Sequence, residues 1–130
     1  MSEVKQGLWY SEEHEWVKDN GDGTVLIGIT DFAQDRLGDI VFVELPEAGT
    51  EVEAEAGIGT IESVKTVSDL FSPVAGTIVE VNGELQGTPE RINEEPYEGG
   101  WMVKIKLSVS GEEVFAKLMD AAGYSKHTEE

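Results

Sequence analysis

The sequence contains no cysteine among its 130 residues. Disulfide bonds, thiolate metal ligands and a sulfur nucleophile provided by the chain itself are therefore excluded. Any thiol chemistry at this protein has to be brought by a group that binds or becomes attached to it.

Positive charge is also scarce, since 9 basic residues face 27 acidic ones and the net charge is −18. This charge would repel phosphate backbones and anionic lipid headgroups, so we expect neither a nucleic-acid nor a membrane partner. The same field favours encounters with basic protein surfaces or cationic small molecules, although a simple role in solubility is the commoner explanation.

Long apolar runs are absent too, because no stretch approaches the roughly 18 apolar residues that would suggest a membrane span. The first residues resemble neither a signal peptide nor a transit sequence. We expect a cytoplasmic protein, or one of the mitochondrial matrix if a leader was removed. The length predicts one domain over residues 1–130, with a core at about 8–107. We expect a monomer, because no apolar stripe is left over once the predicted sheet faces and C-terminal helix are assigned to the core.

Short strands separated by turn residues dominate the first hundred positions and predict a mainly β protein. The predicted strands are Leu8 to Tyr10, His14 to Val17, Thr24 to Ile29, Ile40 to Leu45, two strands within Gly57 to Pro73, and Trp101 to Leu107.

Two helices are predicted from capping signals. Asp31 and Gln34 have N-cap and N3 spacing, which predicts a short helix over 31–37 that ends at Gly38. Ser110 and Glu113 form an S-x-x-E capping box, which predicts a C-terminal helix at about 111–119. We expect residues 124–130 to be a loose tail.

An internal repeat becomes visible when the chain is shifted by 38 residues. The identical pairs are Gly38/Gly76, Ile40/Ile78, Val41/Val79, Val43/Val81, Gly49/Gly87 and Thr50/Thr88. Two copies are too few for a solenoid, so we interpret the repeat as two similar β layers related by a pseudo-twofold axis. Chance matching in a Val- and Gly-rich sequence is the alternative.

A lysine marks the centre of the segment between the repeats, because Lys65 lies at or beside the tip of a predicted hairpin. An ordinary solvated turn lysine is the alternative. The two histidines, His14 and His127, form no ligand-like pattern, and no nucleophile motif is present, so neither a metal site nor a catalytic centre is expected.

Four ordered blocks, spread over nearly the whole chain, resemble the H-protein family of the glycine cleavage system. The first is Tyr10–Val17, with its His-Glu-Trp, and the second comprises Gly28–Gln34 and Gly38–Val43. The third comprises Glu62–Lys65 and Ser72–Gly76, and the fourth is Asn93–Trp101. The resemblance implies a barrel-sandwich hybrid fold of the lipoyl/biotinyl type, and a carrier instead of an enzyme.

The same resemblance implies that Lys65 bears lipoic acid through an amide bond, with Glu62 and Gly76 as recognition positions for lipoylation. Related biotinyl domains have methionines beside their lysine, whereas Val64 and Thr66 flank this one, so a biotinyl-type carrier is the weaker interpretation. A scaffold that never carries lipoate, and a donor of lipoyl groups to other carriers, are further alternatives.

The implied partners are the three enzymes of the system and an attachment enzyme. The P protein, a glycine decarboxylase, would load an aminomethyl group, the T protein, an aminomethyltransferase, would unload it, and the L protein, a dihydrolipoyl dehydrogenase, would reoxidise the arm. A lipoate ligase or a lipoyl/octanoyl transferase would attach the cofactor.

Two acids, Glu15 and Asp69, match positions of the family's aminomethyl-binding pocket, and a third, Glu13, lies at a neighbouring position. Carboxylates near an amine favour its protonated form, which prevents the nitrogen lone pair from expelling the thiolate. Glu13 occupies a position where other members can have serine. Solvated acids on an acidic protein are the alternative for all three.

Overall fold

A computed structural model describes residues 3–128 as two antiparallel β-sheets with short helices. The strands are β1 (Trp9–Tyr10), β2 (Glu15–Asp19), β3 (Thr24–Ile29), β4 (Ile40–Glu44), β5 (Glu51–Val52), β6 (Gly57–Ser63), β7 (Val67–Phe71), β8 (Gly76–Val81) and β9 (Val103–Leu107). The helices are α1 (Asp31–Leu37), a 3₁₀ helix (Gly83–Gln86), α2 (Arg91–Glu94), α3 (Gly111–Phe115) and α4 (Ala121–His127).

The larger sheet has the order β1-β2-β3-β9-β8-β5, and the smaller has the order β4-β6-β7. Inward-facing residues of both sheets form one shared apolar core, as Ile27 and Ile105 do from the larger sheet and Val43, Ile61 and Leu70 do from the smaller. A second cluster contains Tyr10 and Trp16 of β1 and β2 with Tyr124 of α4. This arrangement confirms the mainly β, sandwich-like prediction, although the two sheets do not close into a barrel. No helix within the described range is long and apolar enough to cross a bilayer.

The two copies of the repeat lie in different sheets and share an irregularity. The register of β4 against β6 shifts between Ile40 and Phe42, and that of β8 against β9 shifts between Ile78 and Glu80. The residues at these bulges, Val41 and Val79, are matched in the repeat and are 47% and 43% exposed. The predicted duplication therefore extends to the local backbone geometry.

Helix α1 has the predicted bounds, but its N-cap differs from the prediction. Thr30 is the capping residue, and its side chain accepts from the Ala33 N–H. Asp31 instead accepts from the Gln34 side-chain amide. Gly38 ends the helix with a φ of +84°, a conformation that favours glycine.

The C-terminal prediction was wrong in two respects. The helix expected over 111–119 ends at Phe115, because Met119 then pairs with Tyr10 of β1 in an isolated bridge. The expected loose tail instead begins within α4, where Tyr124 is fully buried with its ring 4.6 Å from that of Tyr10. The Asp120 side chain caps this helix, and burial of an aromatic ring supplies the stability that a tail would lack. Residues 129 and 130 lie outside the described range.

Candidate functional site

Lys65 lies in the turn between β6 and β7, and Ser63 organises this turn. The Ser63 N–H donates to Thr66 O at 2.8 Å, and the buried Ser63 hydroxyl accepts from the N–H groups of Lys65 and Thr66, each at 3.1 Å. Three backbone and side-chain bonds thus fix four residues, while the Lys65 side chain is exposed. The turn holds the amine in solvent on a rigid base.

The stem of Lys65 lies against Gly38, the residue that ends α1. A Cβ atom added at Gly38 would be 3.0 Å from Lys65 Cε, so the glycine leaves space for the stem. The Val64 N–H also donates to Asp39 O at 3.0 Å. The turn is therefore attached to the segment after α1 as well as to its own hairpin.

Glu62 and Gly76 have very different surroundings. Glu62 is exposed on the central strand of the smaller sheet, beside the turn. Gly76 is buried in the larger sheet, where a Cβ atom would lie 2.2 Å from Lys106 O. Packing alone accordingly requires glycine at position 76, and its role in lipoylation stays a prediction.

Glu15 and Glu13 line one cleft of about 610 Å³. Its walls come from the β1–β2 connection, residues 54–55, the end of β7 with the residues that follow, and residues 117–119. The Glu15 side chain is only 3% exposed, and the Ser11 hydroxyl donates to its Oε1 at 2.6 Å. Glu13 is exposed on the same cleft.

Burial raises the pKa of Glu15 to about 7, and the negative charge of Glu13 adds to the increase. Hydrogen bonds to the Ser11 hydroxyl and the Phe71 backbone act in the opposite direction. A carboxyl group with this pKa changes its charge near neutral pH, and a nearby cation would favour its ionised form.

The backbone beside the cleft adopts an unusual conformation at two non-glycine residues. His14, which precedes Glu15, has a φ of 69°, and Glu55, which lines the cleft, has a φ of 72°. Such positive φ values persist where surrounding contacts enforce them. At His14 the Tyr124 hydroxyl provides such a contact, since it lies 2.7 Å from His14 Nδ1 and also 2.7 Å from Thr30 Oγ1.

Asp69 does not line this cleft. It is exposed on the outer face of β7, paired with Thr60 of β6 and two residues before Phe71, which does line the cleft. The structure therefore brings together two of the three predicted pocket acids and places the third between the lysine turn and the cleft.

Three residues that support these sites were not predicted. Ser63, two positions before the lysine, has the spacing of a serine turn, so its role could have been inferred. Ser11 lies four residues before Glu15 and contacts it within the β1–β2 connection. Tyr124 reaches His14 only through the tertiary fold, and no local pattern indicates it. Within residues 3–128, no group of three or more His, Cys, Asp or Glu side chains could hold a metal ion.

The family model described as glycine cleavage H-protein matches residues 8–130. The chain belongs to this family. It is 57% identical over 125 residues to the glycine cleavage system H protein of Marinomonas sp. (strain MWYL1), covering 96% of this chain and 97% of the relative. It is 54% identical over 129 residues to that of Micrococcus luteus, with 98% and 99% coverage.

A crystal structure of a glycine cleavage system H protein from Mycobacterium marinum is similar, with a TM-score of 0.84, 39% identity and coverage of 95% of this chain and 97% of the other. Members of the H-protein family are lipoyl carriers and not catalytic enzymes, and family membership implies partners within the glycine cleavage system. The exposed Lys65 amine on a fixed turn fits the attachment of an acyl cofactor by an amide bond.

Proposed function

We propose that Lys65 carries lipoic acid as an amide on its Nζ and that the protein is the mobile carrier of a glycine cleavage system. The observation that carries this proposal is an exposed lysine on a turn that Ser63 holds rigid. In the attachment step, Nζ attacks the carbonyl carbon of activated lipoate, loses a proton, and the activating group leaves. The dithiolane supplies the sulfur that this cysteine-free chain lacks.

The proposed cycle takes an aminomethyl group from the P protein to the T protein and then presents the reduced arm to the L protein. A tether fixed at Lys65 raises the effective concentration of the arm at whichever enzyme the carrier binds. With a net charge of −18, we expect brief, salt-sensitive association with basic surfaces. A lipoate ligase or a lipoyl/octanoyl transferase would attach the cofactor.

The cleft at Glu15 is the proposed resting place for the cationic end of the loaded arm. Glu15 is buried, and Glu13 adds a second carboxylate at the rim, so a protonated amine there would be stabilised. The role of these residues is to hold a proton on the amine and to bind it. Asp69, on the outer face of β7, would lie along the path from the turn.

The test is lipoylation of the full-length protein, followed by intact mass. We expect one lipoyl adduct per chain after incubation with a lipoate ligase, lipoate and ATP, and none in Lys65→Arg. Lys106→Arg, at another exposed lysine, is the matched control and should be modified normally. An unmodified wild-type chain, or an adduct on Lys65→Arg, would contradict the proposal. A parallel reaction with biotin ligase and biotin tests the biotinyl alternative.

A further inference from the structure

Ser11 and Glu15 are joined by three hydrogen bonds across the connection between β1 and β2. The Ser11 N–H donates to Glu15 O at 2.9 Å, the Glu15 N–H donates to Ser11 Oγ at 3.1 Å, and the Ser11 hydroxyl donates to Glu15 Oε1 at 2.6 Å. A fourth bond, from the His14 N–H to Ser11 O at 3.2 Å, closes the turn between them. The serine thus holds both the backbone and the side chain of one glutamate.

The direction of the Ser11 hydroxyl follows from its partners. A hydroxyl group has one hydrogen to donate and two lone pairs that accept. The Glu15 N–H occupies a lone pair, so the single hydroxyl hydrogen is left for Glu15 Oε1. A hydrogen bond donated to a carboxyl oxygen favours the ionised form of that group. Ser11 therefore promotes a negative charge on a side chain that is almost fully buried.

The Glu15 carboxylate keeps acceptor positions after its contacts within the protein are made. The backbone N–H of Phe71, on the edge strand β7, is a second donor to it. The two oxygens of a carboxylate offer about four acceptor positions, so two donors leave about two of them unused. These positions belong to a side chain that lines the cleft, which is where a cationic amine would donate to them.

The charged groups around the cleft do not replace the Ser11 hydrogen bond. Burial raises the pKa of Glu15, the charge of Glu13 adds to the increase, and the Ser11 hydroxyl opposes it with a larger effect than the Phe71 N–H. No cation among the described residues is a cause of a lower pKa here, although Lys117 lines the same cleft. The other titratable groups that face Glu15 or the adjacent His14 are Glu12, Glu55, Tyr124 and His127. The ionised form of Glu15 accordingly depends on Ser11 more than on any charged side chain nearby.

We propose that Ser11 is a positioning residue for the cleft: its hydroxyl fixes one oxygen of the Glu15 carboxylate, so that the remaining acceptor positions stay open to the amine of the loaded arm. The inference rests on the proposed function, because it takes the loaded arm as the occupant of the cleft. Ser11 acts through Glu15, and its role is distinct from that of the carboxylates that hold the amine.

The first experiment titrates Glu15 in the unmodified full-length protein. Heteronuclear NMR follows its side-chain carboxyl carbon, assigned with Glu15→Gln, in the wild type, Ser11→Ala and Ser11→Thr. Loss of a hydrogen bond to a charged group should raise the titration midpoint by about one pH unit in Ser11→Ala. Ser11→Thr keeps a hydroxyl on the same side-chain carbon and should titrate like the wild type. Thermal midpoints verify folding, and Ser11→Gly repeats the deletion of the hydroxyl.

Ser72→Ala is the matched control for the titration. It also removes a hydroxyl from the cleft wall, but the Ser72 hydroxyl donates to Val74 O and not to Glu15. The midpoint of Glu15 should therefore be unchanged in this variant. A rise as large as that in Ser11→Ala would mean that any disturbance of the cleft shifts Glu15, which would overturn the specific role of Ser11.

The second experiment measures how well the loaded arm is protected. The P protein and glycine load the lipoylated protein, and water then hydrolyses the S–CH₂–NH₂ group to thiol, formaldehyde and ammonia, whose release is followed at several pH values. With the Glu15 midpoint at about 7 in the wild type, a rise of about one unit makes the ionised fraction about fivefold smaller at neutral pH. We expect release from Ser11→Ala to be up to about fivefold faster there, and the difference should shrink at alkaline pH, where Glu15 is ionised in both proteins.

Two results of the titration would overturn the positioning role: equal midpoints in Ser11→Ala and the wild type, or a midpoint in Ser11→Thr as high as that in Ser11→Ala. A shifted midpoint with equal release rates would overturn the role toward the amine. The Ser11 variants should all be lipoylated normally at Lys65. Failure of the wild type to be lipoylated would instead refute the proposed function and leave the titration result unaffected, so the two failures are distinguishable.

Discussion

The lysine turn and the Glu15 cleft are built in opposite ways. The turn is formed by four consecutive residues, and a single side chain, that of Ser63, accepts two of its backbone N–H groups. The cleft is assembled from four separate segments of the chain, next to two residues with positive φ. The attachment point therefore depends mainly on local structure, with one backbone bond to Asp39 beyond its hairpin, whereas the buried carboxyl group depends on the whole fold.

The largest expected effect tests the dependence of the cleft on distant contacts. Tyr124→Ala removes a buried ring that packs on Tyr10 and a hydroxyl that contacts His14 and Thr30. We expect the free energy of unfolding to fall by about 3–5 kcal/mol, measured by urea denaturation. Tyr124→Phe, which removes only the hydroxyl, should cost about 1–2 kcal/mol. Equal stability of all three proteins would show that α4 does not support the cleft.

The second effect concerns the charge of Glu15. Its pKa is about 7 in the folded protein and 4.5 when unfolded, so the folded state binds the proton more tightly. The resulting stabilisation is fully present below about pH 4.5 and is lost as the pH rises through about 7. Relative to Glu15→Gln, the wild type should therefore lose about 3 kcal/mol of stability between pH 4 and pH 8.

Urea denaturation at several pH values measures this effect. Glu12→Gln is the control, because Glu12 is exposed on the same cleft and is not among the groups that shift the pKa of Glu15. If the stabilities of the wild type and Glu15→Gln change in parallel with pH, the buried-carboxyl interpretation is wrong. Lipoylation of Lys65 should be equal in the wild type and both variants, since the cleft takes no part in amide formation.

The smallest effect belongs to the turn. Ser63→Ala leaves the N–H groups of Lys65 and Thr66 without their side-chain acceptor, and we expect a loss of about 1–2 kcal/mol in unfolding free energy. Amide hydrogen exchange at residues 65 and 66 should quicken, while that at the cleft stays unchanged. Ser68→Ala, on the neighbouring strand, is the control. If amide hydrogen exchange at residues 65 and 66 is as slow in Ser63→Ala as in the wild type, the two flanking strands alone define the turn.

The same contrast explains what the sequence could predict. Seven of the nine described strands, helix α1 and the position of Lys65 follow from alternation, capping and turn residues that lie close together in the chain, whereas β5 and β8 were not among the predicted strands. The burial of Glu15 and the placement of Asp69 outside the cleft depend on how distant segments pack, and no local pattern contains that information. Helix α4 was missed for the same reason, because Tyr124 is stabilised by Tyr10 from the other end of the chain.

The bulge at Val41 determines which face of the smaller sheet Phe42 occupies. If β4 slipped by one residue against β6, every side chain of the slipped strand would change faces, and Phe42 would point into the core. The extra residue of the bulge puts Ile40 and Phe42 on opposite faces, because Ile40 pairs with the buried Ser63 and Phe42 pairs with the exposed Glu62. The outward direction of Phe42 next to Glu62 therefore depends on this β-bulge, and the second copy of the repeat contains a bulge at the matching residue, Val79.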